Sequence, residues 1–96
     1  MIKQYYVYMM TSSNRRVIYT GVTGDIEKRI WEHKNKIDQN SFTSKYNVNK
    51  LVHLETFSSP EEAIGREKQI KAGSRERKLR LINESNPKWE DLSLVS

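Results

Sequence analysis

Short runs of aromatic and β-branched residues alternate with helical patterns along the chain. Residues 4–10 and 16–21 are rich in such side chains, and turn-forming residues separate them, so they predict two strands joined in a hairpin. A third run at residues 51–57 predicts another strand. Hairpin-linked strands with separate helices are typical of the α+β class. We therefore predict an α+β fold with a small, three-stranded, mainly antiparallel sheet flanked by three helices.

Capping residues mark the starts of the helices. Asp25 precedes a first helix that begins at Ile26. Ser59, with Pro60 at the first helical position, predicts a second helix that runs to about residue 72, where Gly73 is a suitable C′ residue. Ser74 can cap a third helix. Residues 38–47 between the first helix and the third strand are polar and predict a loop.

Two polar residues of the first helix lie with its apolar face. At about 100° per residue, His33 projects within about 20° of Ile26, on the side that Ile30 and Ile37 also occupy. Arg29 lies four residues before His33, at the edge of the same face. These positions fit functional side chains, and they also fit a hydrogen-bonded core histidine beside an arginine whose stem covers apolar surface.

Glu67 is the most anomalous position of the second helix. It falls between Ala63 and Ile70 in the middle of the apolar stripe. An unpaired buried carboxylate is costly, so the position requires a cation, a basic partner or a proton. A metal ion would satisfy it, and so would a purely structural pair with Arg29.

The composition limits the function classes. The chain has 96 residues, which fits a single domain over residues 1–96, and its net charge is 17 − 12 = +5 with a pI of about 9.6. A basic domain suits a nucleic-acid partner, although an ordinary basic surface explains the same charge. Cysteine is absent, which excludes disulfides and thiolate zinc sites. No apolar run reaches about 18 residues and the first residues lack the layout of a signal peptide, so we expect a cytoplasmic location.

Paired tyrosine motifs give the chain a family resemblance. Tyr6-Val7-Tyr8 followed by Tyr19-Thr20-Gly21 resembles the motif pair of the GIY-YIG endonucleases, with tyrosines 19 − 8 = 11 positions apart. Arg29 and His33 follow Tyr19 by ten and fourteen positions, as in that family, and the segment around Glu67 resembles its metal-binding helix. The segment that begins at Asn86 resembles the end of the small stand-alone, UPF0213-like branch. Tyr6 and Val7 replace the glycine and isoleucine of the first motif, and Thr20 replaces the isoleucine of the second.

The resemblance implies a function and a set of site residues. It implies a metal-dependent DNA endonuclease with structural selectivity or weak sequence preference, acting in repair or recombination. The catalytic residues it implies are Tyr8, Tyr19 as general base, Arg29 on the phosphate, His33 as proton acceptor, and Glu67 on a single Mg²⁺ or Mn²⁺. Substrate contacts are expected from Gly21, Lys45 and Asn86, with Asn83 as the competing asparagine. The alternative function is a nucleic-acid-binding module that cuts little.

A wider group of basic residues, which includes Lys45, could follow the phosphate backbone of the substrate. They lie in the loop and the third helix: Lys34, Lys36, Lys45, Arg75, Arg77, Lys78 and Arg80. A solvated charged face is the simpler explanation for several of them. The expected partner is DNA, or RNA, with a protein partner for targeting and no membrane.

Overall fold

A computed structural model describes residues 3–36 and 45–94 of the chain. Ile37 and most of the loop predicted at residues 38–47 lie outside the described residues. Within the described ranges the chain forms three strands and three α-helices, which confirms the α+β prediction. The strands are β1 (Tyr5–Thr11), β2 (Ile18–Thr23) and β3 (Lys50–Phe57), and the helices are α1 (Ile26–Lys34), α2 (Pro60–Ala72) and α3 (Arg75–Ser85), followed by a 3-10 turn at Leu92–Leu94.

The sheet has the strand order β2-β1-β3, with antiparallel pairing throughout. The most apolar strand, β1, is central, as its buried run from Val7 to Thr11 requires. In the β1–β2 register, Tyr8 lies opposite Gly21 and Met10 lies opposite Tyr19. Because opposite residues of paired strands point to the same face, this register places Tyr8 and Tyr19 on one side of the sheet.

The two faces of the sheet pack against different helices. On one face, Val7 and Met9 form a core with residues of α2 and α3, namely Ala63, Ile70 and Ile82. On the other face, Tyr8 and Met10 pack with Tyr19 and with Ile26 and Ile30 of α1. The alternation of side chains along β1 therefore separates the α1 side of the molecule from the α2–α3 side. No helix of the described ranges is both long enough and apolar enough to cross a membrane.

The helices begin where the capping residues predict. Each cap accepts a hydrogen bond from the backbone N–H three residues later: Asp25 from Lys28, Ser59 from Glu62, and Ser74 from Arg77. Gly73 ends α2 as expected, and its N–H donates to the Ile70 carbonyl. Its backbone is extended, with φ −76° and ψ 161°, and not left-handed as a C′ glycine usually is. The reason is that the chain continues directly into the extended cap of α3.

Candidate active site

Three of the predicted catalytic residues meet on the α1 side of the sheet. Tyr8 comes from β1, Tyr19 from β2 and His33 from α1. Their ring centroids are 6.1 Å apart for Tyr8–Tyr19, 5.8 Å for Tyr8–His33 and 5.4 Å for Tyr19–His33. The Tyr8 hydroxyl lies 3.1 Å from Nε2 of His33, within hydrogen-bond distance. We call Tyr8, Tyr19 and His33 the tyrosine–histidine cluster.

Gly21 makes room for this cluster. A Cβ atom built on Gly21 would lie 2.5 Å from both Cζ and the hydroxyl oxygen of Tyr8, so any side chain there would collide with the Tyr8 ring. Gly21 is buried, and no glycine within residues 3–36 and 45–94 has a positive φ. We expected this glycine to let the backbone approach the substrate. The structure shows a steric role as well, which is to admit the side chain of its cross-strand partner Tyr8, and the contact with substrate stays a prediction.

Burial sets the protonation of the two hydrogen-bonded groups. Tyr8 is fully buried, and this burial raises the pKa of its hydroxyl far above the ordinary value, with Tyr19 adding to the rise through its charge and a side-chain hydrogen bond. Burial lowers the pKa of His33, and the positive charge of Arg29 lowers it further, while Glu32 opposes both effects. At neutral pH, Tyr8 is therefore a neutral hydroxyl and His33 a neutral ring, and in the tautomer with no proton on Nε2 the hydroxyl donates to that nitrogen.

Arg29 stands at the surface beside the cluster. Its side chain is 46% exposed, and its Nε lies 3.9 Å from a carboxylate oxygen of Glu32. Both residues line an open polar cavity of about 360 Å³ next to the start of α1. The guanidinium thus faces solvent, as a phosphate-binding group must, while its charge reaches Tyr8 and His33. Sequence reasoning overlooked Glu32, although its position three residues after Arg29 was a usable signal.

Glu67 lies on the other side of the sheet, on α2. Its side chain is only 15% exposed, which agrees with its place in the apolar stripe, and its carboxylate lies 3.4 Å from Nζ of Lys71. The nearby positive charge therefore comes from Lys71 on the same helix, and the alternative pairing with Arg29 is wrong. Since Lys71 is half-exposed, its ammonium group can leave Glu67 without breaking the core.

The outer edge of β2 links Glu67 with the cluster. Tyr19 and Thr20 line a cavity of about 280 Å³ together with Lys71 and Lys78. β2 is an edge strand, so its outer backbone groups are not paired within the sheet. Lys71 therefore borders the same space as Tyr19 and contacts Glu67 as well. The catalytic candidates thus lie on two faces of the sheet, and Tyr19 and the Glu67 partner Lys71 border one cavity at this edge.

The acidic groups fit only a loosely held metal ion. Among residues 3–36 and 45–94 there is no group of three or more His, Asp and Glu side chains that could hold a metal. A single, largely buried carboxylate such as Glu67 suits a hydrated Mg²⁺, which usually keeps several waters and takes its remaining ligands from substrate phosphates. The residues present thus fit an ion that needs the substrate to complete its ligand sphere.

Asn86 holds the C-terminal segment against the sheet. It is 6% exposed, its Nδ2 donates to the carbonyls of Val52 and Glu90 at 3.1 and 2.9 Å, and its Oδ1 accepts from the Glu90 N–H. Both amide hydrogens are engaged, so none is left for the substrate contact that we expected. The competing residue, Asn83, accepts from Nε1 of Trp89 at 2.6 Å and fixes the same segment.

Lys45 lies at the surface beside Tyr46. It is exposed, with Nζ 5.7 Å from the centroid of the Tyr46 ring. A lysine over an aromatic ring in water is a weak and reversible contact. Lys45 is thus available to a phosphate, and its part in substrate binding stays a prediction.

Comparison with known proteins identifies the family. The GIY-YIG catalytic domain matches residues 4–80. A UPF0213 protein of Syntrophus aciditrophicus is 42% identical over 80 residues, which are 83% of this chain and 91% of that protein, and one of Haloquadratum walsbyi is 38% identical over 83% and 88%. The solution NMR structure of a UPF0213 protein from Bacillus halodurans superposes with a TM-score of 0.59 at 29% identity, covering 97% of each chain.

The chain therefore belongs to the GIY-YIG family, and among its relatives are UPF0213 proteins. The domain has a nuclease fold, which implies a nucleic-acid substrate, and nucleases of this family generally use divalent metal ions. The family match ends at residue 80, before Asn83 and Asn86. It covers all three residues of the tyrosine–histidine cluster as well as Arg29 and Glu67.

Proposed function

We propose that this protein is a metal-dependent DNA endonuclease that hydrolyses phosphodiester bonds, with structural selectivity or weak sequence preference, in repair or recombination. The observation that carries the proposal is the Tyr8–His33 hydrogen bond, with Tyr19 packed against both rings. A neutral, buried imidazole at the end of a hydroxyl relay is a group suited to accept a proton. A protein that only binds nucleic acid has no need of such an arrangement.

The cluster suggests a route for the proton of the attacking water. Tyr19 borders the cavity at the β2 edge and would take this proton while its own passes to Tyr8, and Tyr8 would hand its proton to Nε2 of His33. Each tyrosine accepts one proton as it gives up another. Tyr8 therefore never has to become a phenolate, which its buried site opposes. The sum of these transfers is one hydroxide for attack and one protonated His33.

Two positive groups would neutralise the phosphate: the guanidinium of Arg29 and a divalent ion held by Glu67. The exposed guanidinium of Arg29 can hold two phosphate oxygens in its fork. Glu67 would hold the divalent ion, with Lys71 moving off its carboxylate. When bound, that ion supplies positive charge to the phosphoryl oxygens and the departing oxygen. Lys45 would add a contact to a more distant phosphate.

One observation favours the alternative of a binding module. The carboxylate of Glu67 already has a positive partner in Lys71, so a metal ion must compete with an ammonium group on the same helix. If Lys71 keeps the Glu67 carboxylate and no metal ion binds there, the domain would bind nucleic acid through its basic surface and cut little.

Incubation with plasmid, single-stranded and branched DNA, with Mg²⁺, Mn²⁺ or a chelator, tests the proposal. We expect cleavage only with metal, and faster cleavage of branched or single-stranded DNA than of plasmid. If no DNA is cut under any condition while the protein still shifts DNA in a gel at low salt, the endonuclease proposal fails and the binding module is correct.

A further inference from the structure

A groove between α2 and α3 has a positively charged wall. It encloses about 230 Å³, with Ile70 and Leu81 forming its apolar part. Arg77, Lys78 and Arg80 line it from α3. Positions 77, 80, 81 and 84 recur at intervals of three and four residues, so a single face of α3 supplies this wall.

Three of the four cations that line this groove come from α3 and have no acidic partner among the described residues. Within the described ranges, the side chains of Arg77, Lys78 and Arg80 form no ion pair. Arg66 also lines the groove but differs, because its Nε lies 2.8 Å from the carboxylate of Glu55. Unneutralised cations beside an apolar surface suit a ligand with both phosphate and ring or sugar surfaces, as a nucleic-acid strand has.

Charge is distributed unevenly along the groove. Arg77 lies near the start of α3 and Glu84 lies seven residues later, about 10 Å along the helix axis. An anion is therefore attracted to the Arg77 end and repelled from the Glu84 end.

Lys78 connects this groove with the candidate active site. It lines the α2–α3 groove and also the cavity at the β2 edge, where Tyr19 and Lys71 lie. The two spaces are thus neighbours that share one lysine. The positive end of the groove, around Arg77 and Lys78, is the end that adjoins Tyr19.

We propose that the α2–α3 groove binds the phosphates of the nucleic-acid strand next to the bond that lies at Tyr19. This inference rests on the proposed function, since it continues the path of the same substrate. The strand would leave the β2 edge past Lys71, contact Lys78, and lay its next phosphates against Arg77 and Arg80. The apolar floor would accept a base or sugar, and Glu84 would mark the end of the path.

The test measures binding without cleavage. Fluorescence anisotropy with a labelled single-stranded oligonucleotide in chelator, over a range of salt, compares the parent with the double variant Arg77→Gln/Lys78→Gln. The matched control is Lys68→Gln/Lys88→Gln, which removes equal charge from exposed positions that do not line the groove. Circular dichroism and thermal denaturation verify that all three proteins are folded.

The expected result is a lower salt dependence for the groove variant alone. Two lost phosphate contacts reduce the slope of log K against log salt by about 1.4, which corresponds to roughly 25-fold weaker binding at about 0.1 M salt if the affinities converge near about 1 M. Equal losses in the two double variants, or no loss in the groove variant, would overturn the inference, as would a parent that binds no oligonucleotide. Because the chelator suppresses cleavage, a failed nuclease proposal would leave the binding comparison readable.

Discussion

Replacing Gly21 with alanine is predicted to destabilise the domain and to disturb the tyrosine–histidine cluster. The added methyl would lie 2.5 Å from Cζ and from the hydroxyl oxygen of Tyr8, far inside van der Waals contact. Tyr8 is 1% exposed and packs against Met10, Val48 and Leu51, so its ring has little room to retreat. Relief therefore requires the sheet register or the Tyr8 ring to shift.

The expected change in the free energy of unfolding is the sum of two opposing effects. Inserting a methylene into a packed core costs about 1–3 kcal/mol, and this contact is at the severe end. Alanine in place of a strand glycine returns roughly 0.5 kcal/mol of backbone entropy. We expect a net loss of about 2 kcal/mol, or roughly 10 °C in Tm for a domain of this size. A displaced Tyr8 also loses its 3.1 Å contact with His33, so cleavage should fall at least tenfold.

Gly65→Ala is the matched control. Gly65 lies inside α2, and a Cβ there meets no atom within 4 Å. The same change should therefore stabilise the protein, by about 0.5–1 kcal/mol, through helix propensity. Urea denaturation of both variants gives the two free energies. A Gly21→Ala protein as stable as the parent, or one that changes in the same direction as Gly65→Ala, would refute the steric role of Gly21.

Three further changes test other parts of the structure. Tyr8→Phe removes the hydroxyl that lies 3.1 Å from Nε2 of His33, so it should cost about 1 kcal/mol, measured by urea denaturation. Equal stability would mean that this hydrogen bond contributes nothing. Asn86→Ala removes three hydrogen bonds and should lower stability by about 3 kcal/mol while leaving the DNA affinity of the folded protein unchanged; a selective loss of affinity would restore its predicted contact with substrate. Since the pKa of His33 is lowered on folding, the unfolded chain binds the proton first, and the part of the stability that depends on His33 should fall as pH drops below 6.5, the ordinary value, and level off below the folded pKa. His33→Gln should remove this dependence, and an unchanged pH profile in the variant would contradict it.

Local signals predicted the elements of the fold. Asp25, Ser59 and Ser74 are short-range caps whose hydrogen bonds reach only three residues ahead, so the sequence contains all that defines them. The inward position of His33 follows equally from the helix period. Gly73 shows the limit of this approach, because its backbone conformation depends on how closely the next helix follows.

The parts that sequence could not predict depend on long-range pairing. The role of Gly21 depends on the register that places it opposite Tyr8, which no local pattern specifies. Asn86 bonds to a strand residue 34 positions earlier, so its burial follows from the path of the C-terminal segment. The position of Glu67 in its helix was clear from the stripe. Its partner Lys71 was overlooked, although its position four residues later on the same helix was a local signal, whereas Arg29 could be rejected only once the faces of the sheet were assigned.

The most direct test of the proposed active site compares cleavage rates of Tyr19→Phe, Glu67→Gln and the control Lys68→Gln on the best DNA substrate with Mg²⁺. If Tyr19 starts the proton relay and Glu67 holds the metal, each of the first two should cut at least about 100-fold more slowly than the parent. Lys68→Gln should cut at nearly the parental rate. Cleavage by Tyr19→Phe or Glu67→Gln at the parental rate would contradict the assignment of the site.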